Sequence, residues 1–217
     1  MPHPSPSPAG VRVERVVTAG TVPRAHGDLT LENNTWVVGD DDECVVIDAG
    51  HDGRAIVKAI ARGRRVKAVL VTHGHFDHID AVGEVCDGTR APAYLHPADR
   101  FLWDDHYPVT PDEDLADGAT LTVGDVELTV LHTPGHTPGS CCFHAPALAA
   151  VFTGDTLFPG GPGATRNDHS DFATIIDSIR DRLFTLPPDT IVLPGHGDST
   201  VISREAPQLQ EWVDRGW

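Results

Sequence analysis

The chain has 217 residues, 40% of them hydrophobic, with 32 acidic against 16 basic side chains and a formal net charge of −16. That length makes one large domain or two small ones, enough to bury a core without disulfide staples. So strong an acidic excess argues against binding nucleic acid, whose phosphates need Lys and Arg to displace counterions, and against docking to an anionic membrane surface.

Residues 1–10, rich in proline and without an apolar segment, predict a disordered tail rather than a secretory signal, leaving residues 11–217 as a single domain. No apolar run approaches the roughly 20 residues of a membrane span, so the expected location is cytoplasmic. Residues 11–18 alternate loosely and predict a strand. Residues 34–39 and 44–49 predict two more, joined by the acidic turn Asp40-Asp41-Asp42. Ile56, Val57 and Ile60 recur at helical spacing and predict a helix over 53–62. Residues 66–71 are a β-branched apolar run that reads as a buried strand.

Where that strand ends, Thr72-His73-Gly74-His75-Phe76-Asp77-His78 packs three imidazoles and a carboxylate into six residues. These ligands suit zinc, iron and similar divalent metals. A loop at a strand end lets several side chains converge from rigid backbone. Asp48, at the end of the 44–49 strand, is a candidate for fixing the His73 loop from behind. His51 is read as a surface residue.

A helix is expected over 78–87, a short strand over 92–96, and a helical turn over 97–103, with Trp103 in the core. Residues 119–123 and 126–131 flank Gly124-Asp125 and predict a hairpin. Residues 140–144 and 149–153 predict strands. Phe172, Ile175, Ile176, Ile179 and Leu183 share one face of a helix starting near Ser170. A strand over 190–193 and a weak helix over 204–213 complete the chain. The order of elements recurs, so the expected fold class is α/β: a four-layer αββα sandwich of two related halves packed sheet against sheet, helices outside. Cys44, Cys86, Cys141 and Cys142 show no CxxC spacing, and three of them fall in apolar strand-like runs that predict buried thiols.

Three more strand ends present one potential ligand each: His136 in Gly135-His136-Thr137-Pro138-Gly139, Asp155 in Thr153-Gly154-Asp155-Thr156, and His196 in Pro194-Gly195-His196-Gly197. Seven ligands (His73, His75, Asp77, His78, His136, Asp155 and His196) exceed what one four-coordinate metal needs, and two metals sharing a carboxylate would use them all.

On these motifs the chain resembles the metallo-β-lactamase fold superfamily, and within it the short glyoxalase II-like hydrolases, over residues 12–205. The resemblance implies that His73, His75 and His136 hold one metal, that Asp77, His78 and His196 hold another, and that Asp155 bridges them. The implied cofactors are two divalent ions, zinc first, with iron or manganese tolerated by the same donors. A water between such metals would be hydroxide near neutral pH. The main metal-dependent β-lactamases place Cys where Asp155 stands, so that activity is not expected.

The implied reaction is thioester hydrolysis by a metal-bridging hydroxide, with Asp77 orienting it and a thiolate leaving without a strong acid. Arg166, Asn167 and His169, just before the long helix, are candidates for binding the substrate, a small thioester or thiol conjugate. The alternative is a persulfide dioxygenase, which would use one iron on residues matching His73, His136 and Asp155. That family's Gly-Cys-Gly-Arg-like segment is here Gly160-Gly161-Pro162-Gly163-Ala164-Thr165-Arg166, without the Cys. A non-catalytic metal scaffold is the remaining alternative. Longer glyoxalase II enzymes carry a helical C-terminal domain that helps bind glutathione, and here little chain follows His196, so another thiol carrier enters consideration. Self-association into a homo-oligomer is left open.

Overall fold

The computed structural model describes residues 2–22, 29–60 and 63–216. In chain order it has β1 (Arg12–Val22), β2 (Leu29–Gly39), β3 (Glu43–Ile47), α1 (Gly53–Ala59), β4 (Arg65–Leu70), α2 (Phe76–Ile79), α3 (Val82–Thr89), β5 (Ala93–Leu95), α4 (Arg100–Asp104), β6 (Glu113–Asp114), β7 (Thr120–Val123) and β8 (Val126–His132). Then come β9 (Cys141–Ala145), β10 (Ala150–Gly154), β11 (Leu157–Phe158), β12 (Gly161–Pro162), α5 (Phe172–Ser178), β13 (Ile191–Pro194), β14 (Thr200–Val201), α6 (Ile202–Glu205) and α7 (Leu209–Arg215).

The period-2 alternation of the strands sorts their side chains into layers. Val45 and Ile47 of β3, Ala68 and Leu70 of β4, Phe143 of β9 and Phe152 of β10 meet in one cluster between two sheets. Their neighbours Cys44, Val46, Val66 and Val69 turn the other way, onto Ile56, Val82, Val85 and Trp103. On the far side, Cys142 and Val151 turn onto Ile175, Ile179, Leu183 and Trp212. One six-stranded sheet runs β1-β2-β3-β4-β5-β6 and the other β14-β13-β10-β9-β8-β7, so the expected αββα layering is the observed one. The expected hairpin is the antiparallel pair β7 and β8, in the expected place.

Three elements differ from expectation for identifiable reasons. The helix expected over 78–87 is split into α2 and α3, because Ala49 accepts the Ala81 backbone N–H at 3.1 Å and donates to the His78 carbonyl at 3.0 Å. The long helix starts at Phe172, because the Asp171 carboxylate caps it by accepting from the Thr174 N–H at 2.7 Å, and it widens into a π turn over Ile179–Leu183. The terminal helix starts early, at Ile202, and is interrupted by a 3-10 turn over Ala206–Gln208, where Pro207 has no N–H to give. The last two residues of the 53–62 helix expectation lie outside the described residues.

Residues 2–10, expected to be a disordered tail, form no helix or strand but lie against the fold. Ser7 is buried and donates to Asp125, and Ser199 donates to the Pro2 carbonyl at 2.7 Å. Cys44, Cys141 and Cys142 are buried and unpaired as expected, and Cys86 is half-buried. Among the described residues no helix is long and apolar enough to cross a membrane.

Strands β3, β4 and β5 are mutually parallel, as are β10 and β13. Parallel neighbours bring their C-terminal ends to one edge of the sandwich. The Asp48, His73, Asp155 and His196 loops all leave from that edge.

Candidate metal centre

The structure brings all seven expected ligands together. His73, His75 and His136 form one group whose donor atoms lie within 4.8 Å of one another, and Asp77, His78 and His196 form a second. A third group, His73, His78 and Asp155, takes one member from each, which sets Asp155 between them. The Asp155 carboxylate stands 3.6 Å from His136 Nε2 through one oxygen and 3.4 Å from His78 Nε2 through the other. Gly195 makes this approach feasible, since a Cβ there would lie 2.6 Å from Asp155 Oδ1 and 2.5 Å from the His78 ring.

Three of the rings are held from behind by an outer nitrogen. His78 Nδ1 bonds to Asp48 at 2.9 Å, His136 Nδ1 to the Ala164 carbonyl at 2.8 Å, and His196 Nδ1 to the Glu32 carbonyl at 2.7 Å. These partners only accept, so the outer nitrogens carry protons and the Nε2 atoms point inward, where a metal could replace any proton they hold. There they crowd: His75 Nδ1 is 2.9 Å from His136 Nε2 and 3.1 Å from His73 Nε2, and His78 Nε2 is 3.2 Å from His196 Nε2. Lone pairs so close repel unless a proton or a cation lies between them. Asp155 Oδ1 is buried with no hydrogen-bond donor. Converging nitrogen lone pairs and an undonated carboxylate oxygen are the donor set of a divalent cation. The residues therefore fit the metal ions that the fold implies.

The charges sort accordingly. Burial, and then the neighbouring imidazoles, hold His73 far below the usual histidine range and His75 down to about 3. Burial also pushes His78 down, but Asp155, Asp48 and Asp77 overcome it and raise this ring to about 9. His196, likewise opposed by burial, is raised to about 11 by its bonds to Asp155 and Asp77. Burial alone would raise Asp77 and Asp155, yet the cationic rings hold both well below the usual carboxylate range.

Asp48 lies directly behind the His73 loop. In a left-handed backbone conformation (φ 56°) it accepts from the Thr72 N–H at 2.7 Å and the Thr72 hydroxyl at 2.8 Å, besides holding His78. Asn167 Nδ2 and His169 Nε2, expected at the substrate, touch His75 Nε2 at 3.3 and 3.1 Å. Arg166 is exposed and lines a cavity of about 450 Å³ beside the centre, with Phe158, Gly163 and Phe172 among its walls. His132 stacks on His96 away from the ligands, as its offset implied.

Three groups were missed, one of them Asn33, which donates to Asp77 at 3.0 Å. Asp99, fully buried, accepts from the Gly74 N–H at 2.8 Å and the Gly139 N–H at 2.6 Å, and takes the Thr137 hydroxyl at 2.6 Å. It thus fastens the His73–His75 loop of one sheet to the His136 loop of the other. No local motif marks it; only its place just past a strand and Pro97 hinted at a turn. The third is His51, expected at the surface, whose side chain is 3% exposed and reaches Asn33. The flanking Gly50 and Asp52 read as an exposed turn, while the ring folds back beneath it.

Comparison with known proteins agrees with this geometry. Residues 30–196 match the family described as Metallo-beta-lactamase superfamily. The probable metallo-hydrolase YqgX of Bacillus subtilis is 34% identical over 82% of this chain and 91% of its own length. The hydroxyacylglutathione hydrolase GloC of Haemophilus influenzae is 31% identical over 81% and 90%. Among solved structures, BLEG-1 B3 metallo-beta-lactamase superposes with a TM-score of 0.74 at 33% identity, covering 88% of this chain and 97% of that one. TTHA1623 in a di-iron-bound form gives 0.67 at 30%, covering 94% and 97%. ETHE1 from Myxococcus xanthus gives 0.71 at 27%, covering 87% and 81%.

Three outcomes follow. A cation entering beside His78 and His196 must displace their protons, so loading near neutral pH should release close to two protons and weaken as the pH falls; calorimetry in buffers of different ionisation enthalpy measures this. In the metal-free protein the same raised rings stabilise the fold fully below pH 6.5, and that contribution is lost as the pH rises through about 9 and about 11. Asp99→Ala strands two buried backbone donors and should cost about 3 kcal/mol in urea unfolding, with reduced metal content, while Asp99→Asn should cost less.

Proposed function

The chain belongs to the metallo-beta-lactamase superfamily, and on that premise we propose that it is a binuclear metal-dependent hydrolase of thioesters carried on a small thiol. The observation that carries this reading is the pair of three-ligand groups with Asp155 between them. A site for one ion would leave Asp77, His78 and His196 without a task. Divalent cations held there, zinc first among those that suit the donors, supply Lewis acidity toward a carbonyl oxygen and make nearby water acid enough to ionise near neutral pH.

The chain's own residues do the rest. Asp77, held ionised by its neighbours and fixed by the Asn33 amide at 3.0 Å, would orient the attacking water or hydroxide. Asp155 is held ionised too, so neither carboxylate is suited to protonate a leaving group. A thiolate leaves without that help, whereas an amine does not, and this favours a thioester over an amide. The cavity of about 450 Å³ offers space for the thiol carrier, with Arg166 as its cationic contact and Phe158 and Phe172 as apolar walls. Asn167 and His169, which follow Arg166 in the chain and touch His75, would steady that ring and border the substrate.

The dioxygenase alternative has the likeness to ETHE1 in its favour. It needs only one ion, on His73, His136 and Asp155. Metal analysis of the protein as purified, with thioester hydrolysis, β-lactam hydrolysis and persulfide-dependent oxygen uptake assayed on the same sample, separates the readings. Two metals with thioester hydrolysis are expected. One iron with oxygen uptake, or faster turnover of a β-lactam, would sink the proposal. Arg166→Ala should raise KM about tenfold with kcat nearly unchanged, the signature of lost uniform binding, and an unaltered KM would remove Arg166 from the substrate site.

A further inference from the structure

Asp77 is held by more than the cluster itself. Its Oδ2, which faces His196 at 3.3 Å and His78 at 3.6 Å, also accepts from Asn33 Nδ2 at 3.0 Å. Asn33 Oδ1 in turn lies 2.8 Å from His51 Nε2. A carboxylate only accepts, so the Asn33 NH₂ must point to Asp77 and its carbonyl to His51. His51 must then carry a proton on Nε2 and donate it. Behind His51, Asp80 accepts the backbone N–H through Oδ1 at 2.6 Å and stands 3.4 Å from ring Nδ1 through Oδ2. Donation runs outward from His51, through its backbone N–H to Asp80 on one side and through its ring and then the Asn33 amide to Asp77 on the other.

The backbone is shaped around this ring. His51 sits at φ 66°, a region that side chains avoid and glycine enters freely. Across from it, a Cβ on Gly20 would fall 2.2 Å from His51 Nδ1, so Gly20 is what gives the ring its room. Thr18 pins the same turn by donating to the Gly50 carbonyl at 2.7 Å. A glycine at 51 would hold this turn without strain. What it would lack is the imidazole, whose buried end touches Asn33 and Asp80.

We propose that His51 and Asn33 are positioning residues that fix Asp77 Oδ2 toward the cation position it shares with His78 and His196. This rests on the metallohydrolase reading above and adds a chain of support that acts on one of the two positions. Neither His51 nor Asn33 reaches the His73, His75 and His136 group, so their loss should be felt unequally.

The test is stepwise metal titration against a chromophoric chelator, with thermal unfolding of the metal-free and loaded protein. Wild type should bind two zinc ions in resolvable steps. His51→Gly and Asn33→Ala should weaken one step about 10- to 100-fold, the usual cost of losing a group that orients a metal ligand, and leave the other within about twofold. His51→Gln, which restores an N–H donor, should recover most of the loss. Asn33→Ala leaves the strained turn as it is and answers the question if His51→Gly fails to fold. A lowered thermal midpoint with both affinities unchanged would reduce the pair to a structural role and overturn the proposal, as would equal weakening of both steps. A wild-type chain that takes up no metal would overturn the underlying reading and this one with it.

Discussion

Five imidazoles and two carboxylates can share one small volume only if each is gripped from outside. Their inward atoms crowd: nitrogen lone pairs meet around His75 at 2.9 and 3.1 Å, the two raised rings His78 and His196 face each other at 3.2 Å, and among the described residues Asp155 Oδ1 has no hydrogen-bond donor. The energy that holds them in place therefore comes from the outer hydrogen bonds and from the backbone that carries them. Asp48, the Ala164 and Glu32 carbonyls, and His169 each take one ring. Everything else about this edge of the sandwich follows from keeping those anchors rigid: parallel strands that end together, glycine where a Cβ would intrude, and buried carboxylates spanning loops.

Asp48 and Asp99 do matching work on different seams. Asp48 joins the ends of two adjacent strands of one sheet by taking both Thr72 donors. Asp99 reaches across, taking Gly74 on one side and Gly139 and Thr137 on the other. Both are buried carboxylates whose charge is met by N–H and O–H groups, the condition under which burial is tolerated. The acidic excess of the chain is thus partly architectural: several of its carboxylates are turned inward, at the candidate metal centre or as fasteners.

What could be read from the sequence was what is local. The four ligands from His73 to His78 announce themselves because they stand together, and His136, Asp155 and His196 because each follows an apolar run in a Gly- or Pro-marked loop. The layers were legible because strand alternation and the Ile175, Ile176 and Ile179 face have fixed periods. Asp99, Asn33 and His51 were not, because their partners lie 25, 44 and 18 residues away and nothing beside them marks an acceptor or a donor. The break between α2 and α3 was hidden for the same reason: the backbone that interrupts it, Ala49, belongs to another strand end.

Each three-ligand group draws two members from the loop after β4 and one from the opposite sheet. His75 and His136 are 61 residues apart in the chain, and His78 and His196 are 118. Neither half therefore holds a complete group by itself, and each group is complete only once the two sheets have docked. An ion held there would tie the two halves to each other as well as complete the site. The centre acts, in that sense, as a latch on a door that must already be shut.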